Sequence, residues 1–377
     1  MTGIICSNLY SITTQRNLTS NTLAVRELVD GAIEQGFDIV AVLRFAPLFG
    51  GQGFFWPKKR ILNGLPVYDV PTFGVRYFYS AFLTRLCLFF LGFRGCFNFA
   101  VCHQAFNFIA AHKVLRGRVR EKYFVVHGSD LDRSQLPGCL RSADKVFSRS
   151  DALDRQLAER YGIETDGVLY SGIDAAEIID LKNKKLSLSD GLVITVACLM
   201  LPRKNIQSCL RACKGLIESG IQVNMHLYGD GPLNQKITEY IELLDLEKVV
   251  HLHGFRPREE VLKAMRASHL FLMPSAPETF GLVYLEAMAS GCVVVGHCGW
   301  GIDGVVQDGV NGYLVTAPTE VEAKVRSYVA DRDREAMHYR SLSTAKAYTR
   351  DNAIANYQRL VGASSKHEKT SPTREHL

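Results

Sequence analysis

From residue 192 to 315 the chain repeats one unit: a short apolar run, a turn, then an amphipathic helical pattern. Leu192–Cys198, Val223–Tyr228, Val249–His253, Leu270–Pro274, Val293–Gly296 and Gly312–Val315 read as strands. The stretches Pro202–Ser219, Leu233–Leu244, Pro257–Ala267 and Phe280–Ser290 between them read as helices, the first closed by Gly220 and the last by Gly291. Strands that are apolar throughout, rather than at every second residue, belong to a sheet covered on both faces. Strict alternation with helices makes that sheet parallel.

The first half repeats the theme less regularly. Ile4–Cys6, Asp38–Leu43, Asn98–Cys102, Tyr123–Val126 and Val146–Ser148 read as strands, with helices over Leu23–Gln35 and Ala152–Tyr161. Phe45 to Arg76, rich in Gly, Pro and aromatics, predicts loops and short elements. The polar stretch Asp174–Asp190, with Lys182, Asn183, Lys184 and Lys185, predicts a linker. The expected fold is α/β, with two Rossmann-like domains facing a central cleft lined by the carboxyl ends of both sheets. Residues 1–180 form the first domain and 181–350 the second; a helix over 351–363 crosses back to the first, and 364–377 form a disordered tail.

At 377 residues, 47% hydrophobic and 22% charged, the chain can bury two cores, which excludes a disordered or fibrous protein. The ten cysteines show no CxxC and no metal-type spacing, so free, mostly buried thiols in a reducing compartment are expected. The start, MTGIICSNLYS, lacks the charge and apolar core of a signal peptide. Tyr77–Cys102, the most apolar stretch, is broken by Arg85, Arg94 and Gly95 and falls short of the roughly 20 residues of a membrane span. No GxxxxGK[ST] occurs, against an ATPase, and no GxSxG or HExxH is present.

The chemistry concentrates in Pro277-Glu278-Thr279-Phe280-Gly281-Leu282-Val283-Tyr284-Leu285-Glu286. A strand end runs into a helix start near Phe280, so the amides of Phe280, Gly281 and Leu282 are free donors at the positive end of a helix dipole. Glu278 stands before that end and Glu286 about two turns inside, roughly 12 Å on if helical. Two carboxylates so spaced can accept hydroxyls at both ends of a sugar nucleotide while the amides face the charge between them.

This segment resembles the E-x7-E signature of retaining glycosyltransferases of family 4, which have the GT-B fold. Gly229-Asp230-Gly231-Pro232, His253-Gly254-Phe255 and Asp308-Gly309-Val310-Asn311-Gly312-Tyr313-Leu314-Val315 agree with it. Val126-His127-Gly128-Ser129-Asp130 resembles members that build bacterial surface polysaccharides, teichuronic-acid-type enzymes included. Cys102-His103 and Ser171-Gly172-Ile173-Asp174 resemble their upstream strand end and interdomain segment. The resemblance implies retaining transfer from a UDP- or GDP-sugar to a lipid-linked oligosaccharide or other glycan acceptor, with no metal or other cofactor. Glu278 would hold donor-sugar hydroxyls, Glu286 the ribose, and the amides of Phe280, Gly281 and Leu282 the sugar and phosphate. Lys204, helped by Arg203, would neutralise the departing diphosphate, and His127 would sit near the donor sugar. A sugar-nucleotide epimerase of the same fold and a non-catalytic scaffold in a membrane assembly complex are the alternatives. The chain departs from the family pattern at Cys198, where an Arg is common, at Asn8 to Asn21, which lacks the usual glycines, and at Gly304, where a Glu is common. Asp130-Leu131-Asp132 and Asp331-Arg332-Asp333 lack the context of a metal-nucleotide site.

Charge is uneven. Residues 41–120 hold eleven Lys and Arg and a single acid, Asp69, interleaved with Tyr77, Phe78, Tyr79, Phe82, Phe89, Phe90 and Phe93. An aromatic, cationic surface predicts apposition to an anionic membrane, and with no binding motif present, no nucleic acid. The expected location is cytoplasmic, peripheral on the inner face of the plasma membrane.

Overall fold

The computed structural model describes residues 1–10, 20–50, 53–75 and 78–362. The expected tail over 364–377, Arg76, Tyr77 and most of the glycine-free loop from Asn8 to Asn21 lie outside the described residues.

The first sheet has seven strands: β1 (Gly3–Cys6), β2 (Ile39–Pro47), β3 (Lys58–Leu62), β4 (Leu65–Thr72), β5 (Phe97–His103), β6 (Val119–Val125) and β7 (Lys145–Phe147). Their spatial order is β7-β6-β5-β1-β2-β4-β3, parallel except for the edge strand β3. The second sheet has six parallel strands, β8 (Leu192–Ala197), β9 (Val223–Tyr228), β10 (Val250–Gly254), β11 (Leu270–Leu272), β12 (Val293–His297) and β13 (Gly312–Val315), ordered β10-β9-β8-β11-β12-β13. In each sheet the order reverses beside the first strand, so crevices open at the carboxyl ends of β1 and β5 and of β8 and β11, where such folds take ligands.

Helices cover both faces of each sheet. On the first they are α1 (Ser20–Glu34), α2 (Ala81–Phe90), α3 (Ala105–Val114), α4 (Leu136–Ser142) and α5 (Asp151–Tyr161); on the second, α6 (Ile206–Glu218), α7 (Asn234–Leu243), α8 (Arg258–Ala267), α9 (Leu282–Ala289), α10 (Val321–Ala330) and α11 (Arg334–Ala347). The last helix, α12 (Arg350–Gly362), returns to the first domain, where Ile354 and Tyr357 pack with Leu28 and Val29 of α1. The cysteines are free thiols.

Two sequence expectations fail, and in each segment a charge is paired inside. Phe45 to Arg76 is not mainly loop: β4 pairs in parallel with β2, Val42 beside Val67, and carries β3 as a hairpin. The Gly, Pro and aromatic content of this stretch hid the strand. Asp69 is buried mid-strand, with Arg44 at 2.7 Å and Arg60 also paired to it. The Asp174–Asp190 linker is likewise not free. Leu181 and Lys184 are buried on the second domain, and the Lys184 ammonium donates to Met265 O (3.0 Å) and Ser290 O (2.7 Å). It caps the carboxyl ends of α8 and α9, where a cation meets the negative end of the helix dipole.

The two chain crossings between the domains pair with each other. Ile173 N donates to Tyr348 O (3.0 Å) and Arg350 N to Ile173 O (2.7 Å). Gly172 is forced by this contact, since a Cβ there would stand 2.3 Å from Thr349 O. Gly172→Val should therefore cost about 1–3 kcal/mol as an overpacked site. Urea unfolding checks this, with a lowered midpoint expected and a wild-type midpoint contradicting it.

Candidate functional site

The loop after β8 and the loop after β11 are stitched together. Asn205 donates to Pro274 O (2.7 Å), and Ala276 N to Arg203 O (3.0 Å). The first loop closes as a 3₁₀ turn over Pro202–Lys204, ended by Asn205 in the left-handed region (φ 52°), so the predicted helix over Pro202–Ser219 begins only at Ile206. The stitching sets Lys204 against Glu278 with Nζ 2.5 Å from Oε2; Arg203 reaches the same oxygen at 3.2 Å and Ser275 Oγ at 3.1 Å. Glu278 is 7% exposed and Lys204 8%. Burial alone would raise the Glu278 pKa, but Lys204, Arg203 and Ser275 outweigh it and hold the carboxyl below its ordinary value. Cys198, where the resemblance implies an arginine, lies beside this group; burial pushes its thiol up to about 11, so it brings no charge.

Helix α9 begins later than expected. Its first residue is Leu282, and Gly281 is its N-cap at φ 79°, where a Cβ would meet the Tyr284 ring at 2.6 Å. Only glycine fits this cap without strain. Phe280 lies outside the helix with its ring buried, near Tyr170 and Tyr348, so its amide and not its side chain is available to a ligand. Glu286 consequently sits one turn inside the helix, not two. Its carboxylate is taken by Arg258 (2.7 Å), which also forks onto Glu177. Burial raises the Glu286 pKa, opposed by Arg258 and assisted by Glu177.

Across the cleft stand the carboxyl ends of β5, β6 and β7. The buried Asp130 carboxylate accepts from His127 N (2.9 Å) and Ala105 N (3.1 Å), tying the loops after β5 and β6. That is a scaffolding role, and Asp132 next to it points outward toward Arg160. His127 and His103 are buried, with His127 Nε2 3.2 Å from His103 Nδ1. Gly128 N donates to Thr279 Oγ1 (3.2 Å), joining the two sides. His127, Phe280, Gly281 and Leu282 line one narrow cavity together with Thr279, Ser171 and Arg149.

The structure thus brings Arg203, Lys204 and Glu278 into one charged cluster. His127 and the start of α9 adjoin it, and Glu286 stands apart with Arg258. The sequence reading missed Arg149, Thr279, Arg258 and Glu177. Arg149 carried only a weak signal, its place two residues past a parallel strand, where sheet ends collect ligand-binding side chains but many other residues also stand. Arg149, a neutral imidazole and helix amides line one space, with Lys204 and Arg203 on Glu278 close by, which suits a ligand with concentrated negative charge beside hydroxyls.

Burial, with Arg149 nearby, lowers the His103 pKa to about 3, and His127 moves the same way through burial, His103 and Arg149. Both rings stay neutral when folded but take protons below about pH 6.5 once unfolded. Stability is therefore complete above pH 6.5 and falls as the pH drops below it. His103→Gln should flatten the slope of unfolding free energy between pH 6.5 and 5 by up to about 1.4 kcal/mol per pH unit, one proton's worth. Urea titrations at each pH test this, and an unchanged slope would contradict it.

Residues 178–343 match the family described as glycosyl transferases group 1. The chain is 33% identical over 217 residues to the putative colanic acid biosynthesis glycosyltransferase WcaL of Salmonella typhimurium, covering 54% of this chain and 52% of that one. It is 26% identical over 267 residues to the amylovoran biosynthesis glycosyltransferase AmsK of Erwinia amylovora, covering 66% and 64%. The chain thus spans about half to two thirds of the length of these curated relatives. Among solved structures, the lipopolysaccharide outer core galactosyltransferase WaaB in its apo form superposes with a TM-score of 0.74 at 16% identity, over 96% of this chain and 99% of that one. Anabaena Alr3699/HepE in complex with UDP gives 0.68 at 19%, over 96% and 100%. Two parallel-sheet domains meeting at their carboxyl ends, with the second carrying the matched segment, make this a chain of GT-B fold whose residues 178–343 are similar to the group 1 glycosyl transferases.

Proposed function

We propose that this protein transfers a sugar from a nucleotide-activated donor to a glycan acceptor in bacterial polysaccharide biosynthesis, with retention of anomeric configuration. The observation that carries the reading is the buried Lys204–Glu278 pair, flanked by Arg203 and set against Gly281, the cap of α9. The names of WcaL and AmsK, both polysaccharide biosynthesis glycosyltransferases, support the pathway class; the UDP complex of HepE supports the donor class.

In this reading the donor's hydroxyls displace part of the Lys204–Glu278 contact. Glu278 then holds the sugar and Lys204 turns to the diphosphate, with Arg203 beside it. The bond from the sugar C1 to the diphosphate oxygen breaks, and the acceptor oxygen bonds to C1 on the same face. The acceptor's proton passes to the leaving phosphate, and the nucleoside diphosphate departs with its added charge met by Lys204 and Arg203. Stabilising charge where it develops is commonly the largest catalytic term. The α9 amides meet the sugar and phosphate, His127 lies by the sugar, and Glu286 holds the ribose once the donor competes with Arg258. These cations do the work a metal would do, so the reading includes no metal.

UDP, GDP and ADP are to be compared by thermal shift, because a ligand of the folded state raises the melting temperature by mass action. One nucleotide should stabilise the protein, and Glu286→Ala should weaken that shift. With the matching nucleotide-sugar, Lys204→Ala should lower kcat by about 10²–10³-fold, and EDTA should leave turnover unchanged. No shift with any nucleotide in a folded protein would overturn the reading.

The acceptor is read as lipid-linked, because one face of the first domain suits a bilayer. Helix α2 buries Thr84 and Leu88 and turns Phe82 (72% exposed), Phe89 and Phe90 (77%) to solvent. Exposed Phe49, Phe54 and Trp56 add a second apolar spot. Arg85, His112, Lys113, Arg116 and Lys122 line a cavity of about 590 Å³ beside α2. Not all of the basic charge is available: Arg44 and Arg60 serve Asp69, and Arg85 caps α3 through Val114 O and Lys113 O. No helix among the described residues is long and apolar enough to cross a membrane. Apolar tips beside cations bind anionic interfaces. The protein should therefore co-sediment with phosphatidylglycerol vesicles and not with phosphatidylcholine vesicles. Joint replacement of Phe82, Phe89 and Phe90 by Ser should weaken this at least about tenfold, with the nucleotide shift intact. Equal sedimentation with both vesicle types would contradict it.

A further inference from the structure

Arg149 stands two residues past β7 and precedes Ser150, the N-cap of α5, whose hydroxyl accepts from Leu153 N (3.2 Å). The cap fixes the backbone there, and the Arg149 side chain runs inward to line the cavity with His127, Ser171, Thr279 and the residues opening α9. It is 3% exposed. One terminal nitrogen donates to Ser171 Oγ (2.5 Å), while Nη1 is buried with no partner. Among the described residues no carboxylate pairs with it; its charged neighbourhood is the two neutral histidines and the Tyr357 hydroxyl. A guanidinium does not give up its proton in a protein. Leaving such a charge buried and unpaired costs several kcal/mol, so a site that keeps one is arranged for an anion the chain does not itself supply.

The other observations agree. The cavity is about 10 Å³, room for roughly one oxygen atom or one water. The first amides of an eight-residue helix open onto it. On the far side of Glu278, the position where an arginine was expected holds the uncharged Cys198.

We propose that Arg149, with Ser171 and the opening amides of α9, forms an oxyanion slot that takes one anionic oxygen of the donor substrate, so that the first domain supplies the cation missing at Cys198. The oxygen belongs either to the donor's diphosphate or to a carboxylate on the transferred sugar. This rests on the donor-site reading above.

The test is isothermal titration of wild type, Arg149→Gln and Arg149→Lys with UDP, UDP-glucose and UDP-glucuronate, or the GDP counterparts (GDP-mannose and GDP-mannuronate) if GDP is the nucleotide that stabilises. Folding of each variant is checked by its melting curve. Arg149→Gln should lose at least tenfold in affinity for the anion it serves. Arg149→Lys, which keeps the charge but not the fork, should fall between. An equal loss for all three ligands supports the slot and assigns it to the diphosphate. A loss confined to the uronate supports it and assigns it to the sugar carboxylate. Wild-type affinity of Arg149→Gln for every ligand overturns the slot while leaving the donor site standing. If Arg149→Gln does not fold, Arg149→Lys decides: a tenfold loss supports the slot, and wild-type affinity overturns it. If wild type binds no nucleotide, the donor-site reading fails and the slot with it.

Discussion

A carboxylate out of water needs a counter-charge, and Glu278 obtains one from a different loop. The Lys204–Glu278 pair is buried on both sides, so removing either partner would strand a charge away from water. That requirement ties the segment after β8 to the segment after β11, across the crevice where the strand order reverses. The stitches at Asn205 and Ala276 hold the two backbones where the pair needs them. Glu278 in turn precedes Thr279, the residue that touches Gly128 of the opposite domain. The charge pair therefore organises the second domain's half of the cleft and places its contact with the first.

The electrostatics of the cleft are asymmetric. On the second domain's side every cation has a carboxylate: Lys204 and Arg203 share Glu278, and Arg258 holds Glu286 and Glu177. On the first domain's side Arg149 has only Ser171 and neutral rings around it. A ligand competing for the first set exchanges one partner for another, at small net cost. A ligand reaching Arg149 supplies a partner where there was none, a larger gain for one contact.

Much of the second domain was legible because its signals agree at several levels. Continuous apolar strands, glycines closing α6 and α9, and strict alternation all point to one parallel sheet. Errors occurred where a residue type carries two opposite readings. The prolines of the Phe45–Arg76 stretch read as loop, but the strand runs through them, with Asp69 inside it paired to cations. Lys184 reads as solvated, but the helix-end oxygens of Met265 and Ser290, with Cys292 Sγ beside them, hold its ammonium inside. Helix α9 starts late because Gly281 is a left-handed cap, which composition does not distinguish from a first helical turn. Of the site, Glu278, Lys204 and His127 could be picked out by local motif. Arg149 could not, since its meaning lies in what fails to surround it, and a missing partner is visible only in three dimensions.

The side-by-side crossing at Ile173 and Thr349 has a mechanical consequence. Two linked strands running parallel through one waist resist sliding and twist but yield to bending, so the domains can part much as the covers of a book do about a spine. In such a motion displacement grows with distance from the spine. Ser171 lies two residues from Ile173 in the chain, and Arg149 bonds to it, so that part of the cleft moves least. The outer lips travel furthest. Freedom at the rim and constancy of the innermost contacts then follow from the same lever arm.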